Sequence, residues 1–438
     1  MSRRARQPRE PVTLTIDSLS HEGRGVGRNE GKTVFVHGAL PGERVTAQVV
    51  KRRGRFDEAV ALDVLEASPE RVDPLCAHFG VCGGCSFQHA TQTFQLEHKQ
   101  RVLLELLEHT AGVQPATVAA PIHSHPWAYR RKARLGVKHV PAKGGVIVGF
   151  RERATPYITH CDECVVLDAR VGSRLVELRE MMRELSIAAQ IPQIEVAAGD
   201  DAVALVFRCL ALPSARDREL LARFQQETGL EIYLQPGGLN TVEPLEAGNT
   251  PLRYGLGDLQ FEFLPVDFTQ VNAAINVRLI ERALEYLKPA ADDRVLDLFC
   301  GLGNFSLPVA QRVAQVQGYE GDAGLIRRAL ANAERNQLAN CFFEQADLAD
   351  PAAVASITPQ GFNKVIIDPP RSGAGMVVEH LRLEGVERLV YVSCNPATLA
   401  RDVKSLCHER GFQLVQTGIL DMFPHTAHVE SISLLHRV

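Results

Sequence analysis

At 438 residues, with 45% hydrophobic and 23% charged positions, the chain has an ordinary globular composition and length enough for roughly two to four domains. No apolar run approaches the ~20 residues of a membrane helix, and Met1-Ser-Arg-Arg-Ala-Arg-Gln-Pro lacks the apolar core of a secretory signal, so a cytoplasmic protein is expected. Net charge is −4, yet residues 1–55 hold 12 Lys/Arg against 5 Asp/Glu and the remaining 383 hold 36 against 47. That places either a polyanion-binding module or merely a solvated basic tail at the amino end of an acidic body.

Residues 1–10 read as a disordered basic arm. From Val12 to Ala67, short alternating runs (Val12–Ile16, Thr33–Val36, Glu43–Val50, Glu58–Val64) are separated by glycine turns, the pattern of a small antiparallel barrel. Gly23-Arg-Gly-Val-Gly-Arg and Lys51-Arg-Arg-Gly-Arg put cations in its loops, where they can meet phosphates. Next comes Cys76-Ala-His-Phe-Gly-Val-Cys82-Gly-Gly-Cys85. Ten cysteines clustered in a chain of this length argue for a reduced compartment, and three in one glycine-loosened loop can surround one centre. Cys161 and Cys164 are the candidates for a fourth ligand. Four thiolates serve tetrahedral zinc or an iron–sulfur cluster; the uneven spacing favours the cluster.

Thr91–Leu107 carries apolar residues at Phe94, Leu96, Val102, Leu103, Leu106 and Leu107, an amphipathic helix. Trp127-Ala-Tyr-Arg-Arg-Lys-Ala-Arg134 then opens a strand-rich α+β region with helices near 167–188 and 214–228. Its aromatics and cations fit an RNA stacking surface as well as they fit a core edge.

From Pro265 helices and strands alternate, which implies a mostly parallel, doubly wound sheet. The first strand ends in Asp297-Leu-Phe-Cys-Gly301-Leu-Gly303-Asn-Phe305, whose glycines let backbone approach a ligand. Glu320 follows Gly301 by 19 residues, near the ~20 expected of a carboxylate that grips ribose hydroxyls. A nicotinamide enzyme has the same general pattern, but the G-x-G-x-x-G that cradles a pyrophosphate is missing, whereas S-adenosylmethionine needs no phosphate cradle. Asp347 would suit the adenine end of such a ligand. Val365-Ile-Ile-Asp368-Pro-Pro-Arg371 presents a carboxylate at another strand end, and Leu389-Val-Tyr-Val-Ser-Cys394-Asn-Pro places a thiol at the next. By itself that thiol is either a nucleophile or a small buried hydrophobe; Glu430, just before the last strand, is by itself an ordinary glutamate.

Taken together, Phe268-Thr-Gln270-Val-Asn272, Asp297–Phe305, Asp368-Pro-Pro-Arg371, Ser393-Cys394-Asn-Pro-Ala-Thr-Leu-Ala-Arg401-Asp402 and His425–Ser431 resemble the RNA uridine-C5 methyltransferases. The phrases around His21–Gly27 and Val36–Glu43 resemble a TRAM domain, an OB-like RNA-binding barrel, and with Cys76, Cys82 and Cys85 they extend the likeness over nearly the whole chain, towards the 23S rRNA branch of that family. The resemblance implies a multidomain enzyme: basic arm 1–10, TRAM-like barrel 11–70, central α+β domain with an iron–sulfur cluster 71–262, and a Rossmann-like S-adenosylmethionine-dependent methyltransferase domain 263–438, on which the helix over 91–110 packs. It further implies [4Fe–4S] ligands Cys76, Cys82, Cys85 and Cys164 rather than Cys161. Methyl-donor contacts would come from Gln270, Phe299, Asn304, Glu320, Asp347 and Asp368. Cys394 would be the nucleophile and Glu430 the base. The partner would be 23S rRNA, with no membrane and no obligate protein partner, and a monomer as the default.

The chemistry needs both catalytic groups. Uracil C5 is a poor nucleophile until a thiolate adds to C6 and gives C5 carbanion character; a base must then remove the C5 proton. The thiol must ionise, and the base must leave the RNA stack to reach it. Cytosine-C5 methylation uses similar chemistry, but that class carries another cysteine near the fourth-strand Asp-Pro, where Arg371 stands here. A vestigial domain serving as an RNA-binding assembly factor is the non-catalytic alternative, opposed by the presence of Cys394, Glu430 and the glycine turn.

Overall fold

Of the glycines expected to make turns in the amino-terminal region, Gly23, Gly31, Gly38 and Gly42 do so at positive φ, whereas Gly25 and Gly27 lie within a strand. In the computed structural model, which describes residues 10–141, 145–357 and 361–438, five strands close a barrel: β1 (Val12–Leu19), β2 (Gly25–Asn29), β3 (Lys32–His37), β4 (Arg44–Arg52) and β5 (Phe56–Glu66), in the order β1-β2-β3-β5-β4. Almost all of the expected basic arm lies outside the described residues. Leu14, Ile16, Val34, Val36, Val45 and Ala47 fill the barrel. A Cβ on Gly27 would stand 2.4 Å from the Thr15 carbonyl oxygen, and one on Gly25 3.0 Å from that of Ala39. These glycines therefore mark close backbone approach within β2. Arg24 stacks over Phe35 at 4.7 Å, while Lys51, Arg52, Arg53 and Arg55 are exposed around the β4–β5 turn.

The chain divides into two compact units. One comprises Met1–Lys99, Glu152–Ala154 and Pro424–His428; the other comprises Gln100–Arg151, Thr155–Phe423 and Val429–Val438. Residues 71–99 thus cluster with the barrel. Helix α1 (Gln92–Leu106) runs from the first unit into the second. Its first half buries Gln95, His98 and Lys99 rather than the expected Phe94 and Leu96. Gln95 donates to the carbonyls of Phe87 and Ala90 and accepts from His425 N at 2.8 Å. Farther along, Gln100 accepts from Ile419 N, and His408 Nε2 lies 3.0 Å from the Ala111 carbonyl oxygen.

Among the described residues, the second unit holds two large sheets and a two-stranded hairpin. After β6 (Thr117–Val118), the strands β7 (Lys132–Val140), β8 (Gly145–Gly149), β9 (Gln193–Ala198), β10 (Val203–Arg208), β11 (Leu230–Gln235) and β12 (Glu243–Pro244) form a six-stranded sheet in the order β12-β11-β10-β9-β7-β8. Helices α2 (Ala169–Gly172), α3 (Leu175–Glu184) and α4 (Ala215–Thr228) complete this α+β part. A reciprocal Ser214–Asp217 capping box starts α4. The cations of the Trp127 segment are held by the protein: Arg130 donates to Lys132 O, Arg131 to Asp200, Lys132 to Pro265 O and Arg134 to Glu195.

A hairpin, β13 (Leu252–Leu256) and β14 (Leu259–Phe263), leads to α5 (Ala273–Leu287). Then follow β15 (Arg294–Leu298), α6 (Ser306–Ala310), β16 (Gln315–Glu320), α7 (Ala323–Arg335), β17 (Cys341–Gln345), α8 (Pro351–Ser356), β18 (Lys364–Ile367), α9 (Gly375–His380), β19 (Arg388–Ser393), α10 (Pro396–His408), β20 (Phe412–Leu420) and β21 (Glu430–Arg437). They give the expected doubly wound sheet, ordered β17-β16-β15-β18-β19-β21-β20-β6. Strands β15 to β19 are parallel, and β21 runs antiparallel between β19 and β20. The strand order reverses between β15 and β18, so a crevice opens at the carboxyl ends of those strands. Fully buried Val295, Ile366, Val390 and Val392 anchor the sheet beneath it.

Candidate active site

The carboxyl edge of this sheet collects most of the residues singled out from sequence. Immediately after β15, Phe299 adopts φ +64°, and Gly301 and Gly303 follow at +56° and +87°. Left-handed backbone at a bulky residue is strained and is typical of functional loops. The Gly301 N–H donates to Glu320 Oε2 at 3.2 Å, so the turn and the end of β16 already face each other. Asp297 is fully buried; Ser306 Oγ donates to its Oδ2, and its Oδ1 has no hydrogen-bond partner among the described residues. Burial raises the Asp297 carboxyl to about 7, with the negative charge of Asp368 adding to the rise and the Ser306 bond opposing it.

Asn304 is held by groups the sequence did not announce. Its amide is paired reciprocally with that of Asn276, at 2.9 and 3.0 Å, and its Oδ1 also accepts from Tyr254 OH at 3.1 Å. Asn276, Tyr254 and Gln270 line one small cleft. The available signal for Asn276 was an amide on the apolar face of α5, between Ile275 and Leu279. Asp347 sits exposed beyond β17, where its side chain accepts from Ala349 N at 2.9 Å.

Asp368 and Arg371 stand on a loop tied to α10. The Arg371 carbonyl oxygen accepts from Asn395 Nδ2 at 3.0 Å and Thr398 Oγ1 at 3.4 Å. Buried Asp402 accepts from Tyr391 OH at 2.6 Å and Ala374 N at 2.7 Å. Asn395 caps α10 through Ala397 N, and Pro396 occupies the first helical turn. Cys394 is therefore fixed between a strand end and a capped helix.

The antiparallel β21 brings the second catalytic candidate to the same place. The β19–β21 ladder closes at the Ser393–Ser431 pair, so Cys394, just after β19, and Glu430, the first residue of β21, flank that pair at the same end of the sheet. Glu430 is buried, whereas Cys394 is partly exposed. Burial pushes Glu430 up to about 8, reinforced by Asp368 and opposed by Arg371. Burial also pushes the Cys394 thiol up to about 11, with Glu430 and Asp368 adding to the rise and Arg371 opposing it. The lowered thiol pKa required by the chemistry is thus absent from the resting site, because burial disfavours the thiolate and two carboxyl groups outweigh one guanidinium.

Asp297, Asp368 and Glu430 rise to about 7, 7 and 8. Each folded value exceeds its unfolded one, so the stability these groups contribute is complete below about pH 4 and is lost as pH rises through the folded values. The melting temperature is expected to fall between about pH 6 and pH 8. Thermal scans at stepped pH check this; a flat or rising melting temperature over the interval contradicts it.

In the first unit, Cys76, Cys82 and Cys85 are all partly exposed on one loop, and Gly84 N–H donates to Cys82 Sγ at 3.4 Å. In the second, Cys161 is buried in the apolar core of the six-stranded sheet while Cys164 is partly exposed. Among the described residues, no group of three or more His, Cys, Asp or Glu side chains is arranged to hold a metal ion.

A doubly wound sheet with a reversed last strand, a glycine turn after β15 and a carboxylate at the end of β16 define an S-adenosylmethionine-dependent methyltransferase fold. Residues 251–350 and 353–438 match the family described as tRNA (Uracil-5-)-methyltransferase, and residues 5–62 match the TRAM domain. The chain is 51% identical over 438 residues to the 23S rRNA (uracil(1939)-C(5))-methyltransferase RlmD of Alkalilimnicola ehrlichii, covering 99% of this chain and 98% of that protein. It is 48% identical to the protein of the same name from Stenotrophomonas maltophilia, covering 99% of each. Among solved structures, the Pyrococcus abyssi tRNA (uracil-54, C5)-methyltransferase in complex with S-adenosyl-L-homocysteine aligns with a TM-score of 0.74 at 26% identity, over 97% of this chain and 100% of that one. The chain belongs to the RlmD family of RNA (uracil-C5)-methyltransferases and is a methyltransferase. No helix among the described residues is long and apolar enough to cross a membrane.

Proposed function

We propose that the chain methylates C5 of one uridine of 23S rRNA, the position numbered 1939 in the names of its relatives, by way of a covalent Cys394–C6 adduct. The observation that carries this reading is that Cys394 and Glu430 flank the Ser393–Ser431 pair that ends the β19–β21 ladder at the carboxyl edge, near enough for the Glu430 charge to act on the thiol. Cys394 gives up its proton to solvent and forms a bond to C6, and the displaced ring electrons make C5 nucleophilic. The methyl donor supplies an electrophilic methyl on a sulfonium and leaves as the neutral thioether. Glu430, as carboxylate, removes the C5 proton, and the returning electrons expel Cys394 as thiolate. The approaching sulfonium offsets the charge of Asp368 and Glu430, which lowers the thiol towards the range where it ionises.

Gln270, Phe299, Asn304, Glu320, Asp347 and Asp368 are assigned to the methyl donor. Asn304 contributes from within its Asn276–Tyr254 network, and Glu320 through the turn it already bonds. The exposed cations of the β4–β5 turn are assigned to rRNA phosphates. Cys76, Cys82, Cys85 and Cys164 are assigned to a [4Fe–4S] cluster. Their shared partial exposure and the N–H donated to Cys82 sulfur suit thiolates around such a centre, whereas Cys161 is buried. The cluster would supply a covalent brace and a redox-active centre. The protein is read as a cytoplasmic monomer.

Mapping of 5-methyluridine in 23S rRNA tests the assignment. A strain lacking this chain should lose one mark, restored by the wild-type chain and not by Cys394→Ala. An unchanged rRNA pattern in the deletion strain contradicts the assignment.

A further inference from the structure

The cysteine loop is clipped by a segment far away in sequence. Glu152–Ala154 clusters with the first unit, although the residues on both sides belong to the second. Glu152 forms an antiparallel bridge with Cys82, and Arg153 N donates to the Val81 carbonyl oxygen at 2.9 Å. The next residue, Ala154, takes φ +60°, a strained conformation for a residue with a Cβ. That conformation lets the chain turn away directly after presenting Arg153.

The Arg153 side chain then crosses to the far end of the loop, where Nη2 donates to the Cys85 carbonyl oxygen at 2.7 Å. Among the described residues no carboxylate lies within ion-pair distance of this guanidinium. Neighbouring cations are differently placed: Arg71 is paired with Glu43, and Arg24 with Glu22. His37 and His89 are held neutral, down to about 4 and 3, chiefly by burial and further by cations that include Arg153. A half-buried guanidinium without a carboxylate is costly unless another anion faces it. The anions the loop can offer are thiolates.

We infer that Arg153 is a positioning residue for the cysteine-held centre, its guanidinium serving as counter-charge to the Cys82 and Cys85 thiolates. This rests on the cluster assignment above. A cluster held by thiolates carries net negative charge, and outer groups that neutralise it set how tightly it is kept and how readily it accepts an electron. Arg153 reaches two of the four assigned ligands and, through its main chain, fixes the loop between them.

The experiment compares full-length wild type, Arg153→Lys and Arg153→Gln, purified without oxygen. It follows iron release to a chelator and the reduction potential of the visible chromophore. Lysine keeps the charge; glutamine keeps a hydrogen-bond donor without it. Arg153→Gln should lose iron roughly 10- to 100-fold faster than wild type and shift the potential to more negative values, while Arg153→Lys stays near wild type on both readouts. Equal iron retention and potential in wild type and Arg153→Gln overturn the inference. So does a lysine variant as impaired as the glutamine one, which would assign the residue to the shape of the Cys85 bond alone. Should Arg153→Gln fail to fold, Arg153→Lys decides: retained iron at an unshifted potential supports the counter-charge, and loss of iron overturns it. Colourless, iron-free wild type would instead refute the cluster assignment itself.

Discussion

The largest kinetic loss is expected from Cys394→Ala, because the proposed route depends on the bond its thiol forms to C6. Methyl transfer should fall by at least on the order of 10⁴-fold, the scale seen when a covalent route is removed from an enzyme that acts as a unit. Without thiolate addition at C6, C5 keeps its weak nucleophilicity however well the methyl donor is placed. The substitution removes one sulfur at a partly exposed strand end whose backbone is secured by the Asn395 cap and the Ser393–Ser431 pair. Folding and S-adenosylmethionine affinity should therefore stay near wild type. Single-turnover transfer of labelled methyl to unmodified 23S rRNA, with calorimetry of the methyl donor, separates the two effects. Transfer within tenfold of wild type would rule out the covalent route.

Glu430→Gln is expected to fail later. The neutral amide replaces a buried carboxyl that burial already drives towards its neutral form, so the fold should tolerate it and the high-pH loss of stability should diminish. Removing that carboxyl also removes the main neighbouring charge that raises the Cys394 thiol, so adduct formation should not slow. Abstraction of the C5 proton loses its base, worth about 10²- to 10⁴-fold. Methyl transfer should thus proceed once per chain, with RNA retained on the protein under denaturing conditions. Release of methylated RNA at the wild-type rate would remove Glu430 from the role of base.

The strand ends were legible in the sequence because alternating β-branched runs, glycine turns and Pro stops are local signals. Asp297, Glu320, Asp368 and Cys394 accordingly fall where the pattern put them. What brings Glu430 to Cys394 is not local. It depends on β21 inserting antiparallel between β19 and β20, a pairing decided by the whole sheet. For the same reason the Asn276–Asn304–Tyr254 network escaped notice, since it joins a hairpin, a helix and a turn. Gly25 and Gly27 read as loop because composition does not distinguish a glycine needed for a turn from one needed for a neighbouring carbonyl. The raised thiol of Cys394 was invisible because it follows from burial and from which carboxyl groups end up nearby.

Peptide mass mapping of Glu430→Gln tests the covalent account most directly. The chain is incubated with S-adenosylmethionine and a 23S rRNA fragment bearing the target uridine, denatured, and digested with nuclease and protease. A methylated nucleotide mass should appear on the peptide carrying Cys394 and vanish in the double variant Cys394→Ala/Glu430→Gln. Methylated RNA formed with no nucleotide on any peptide, or a nucleotide attached to a different cysteine, would contradict the assignment of Cys394 as the nucleophile.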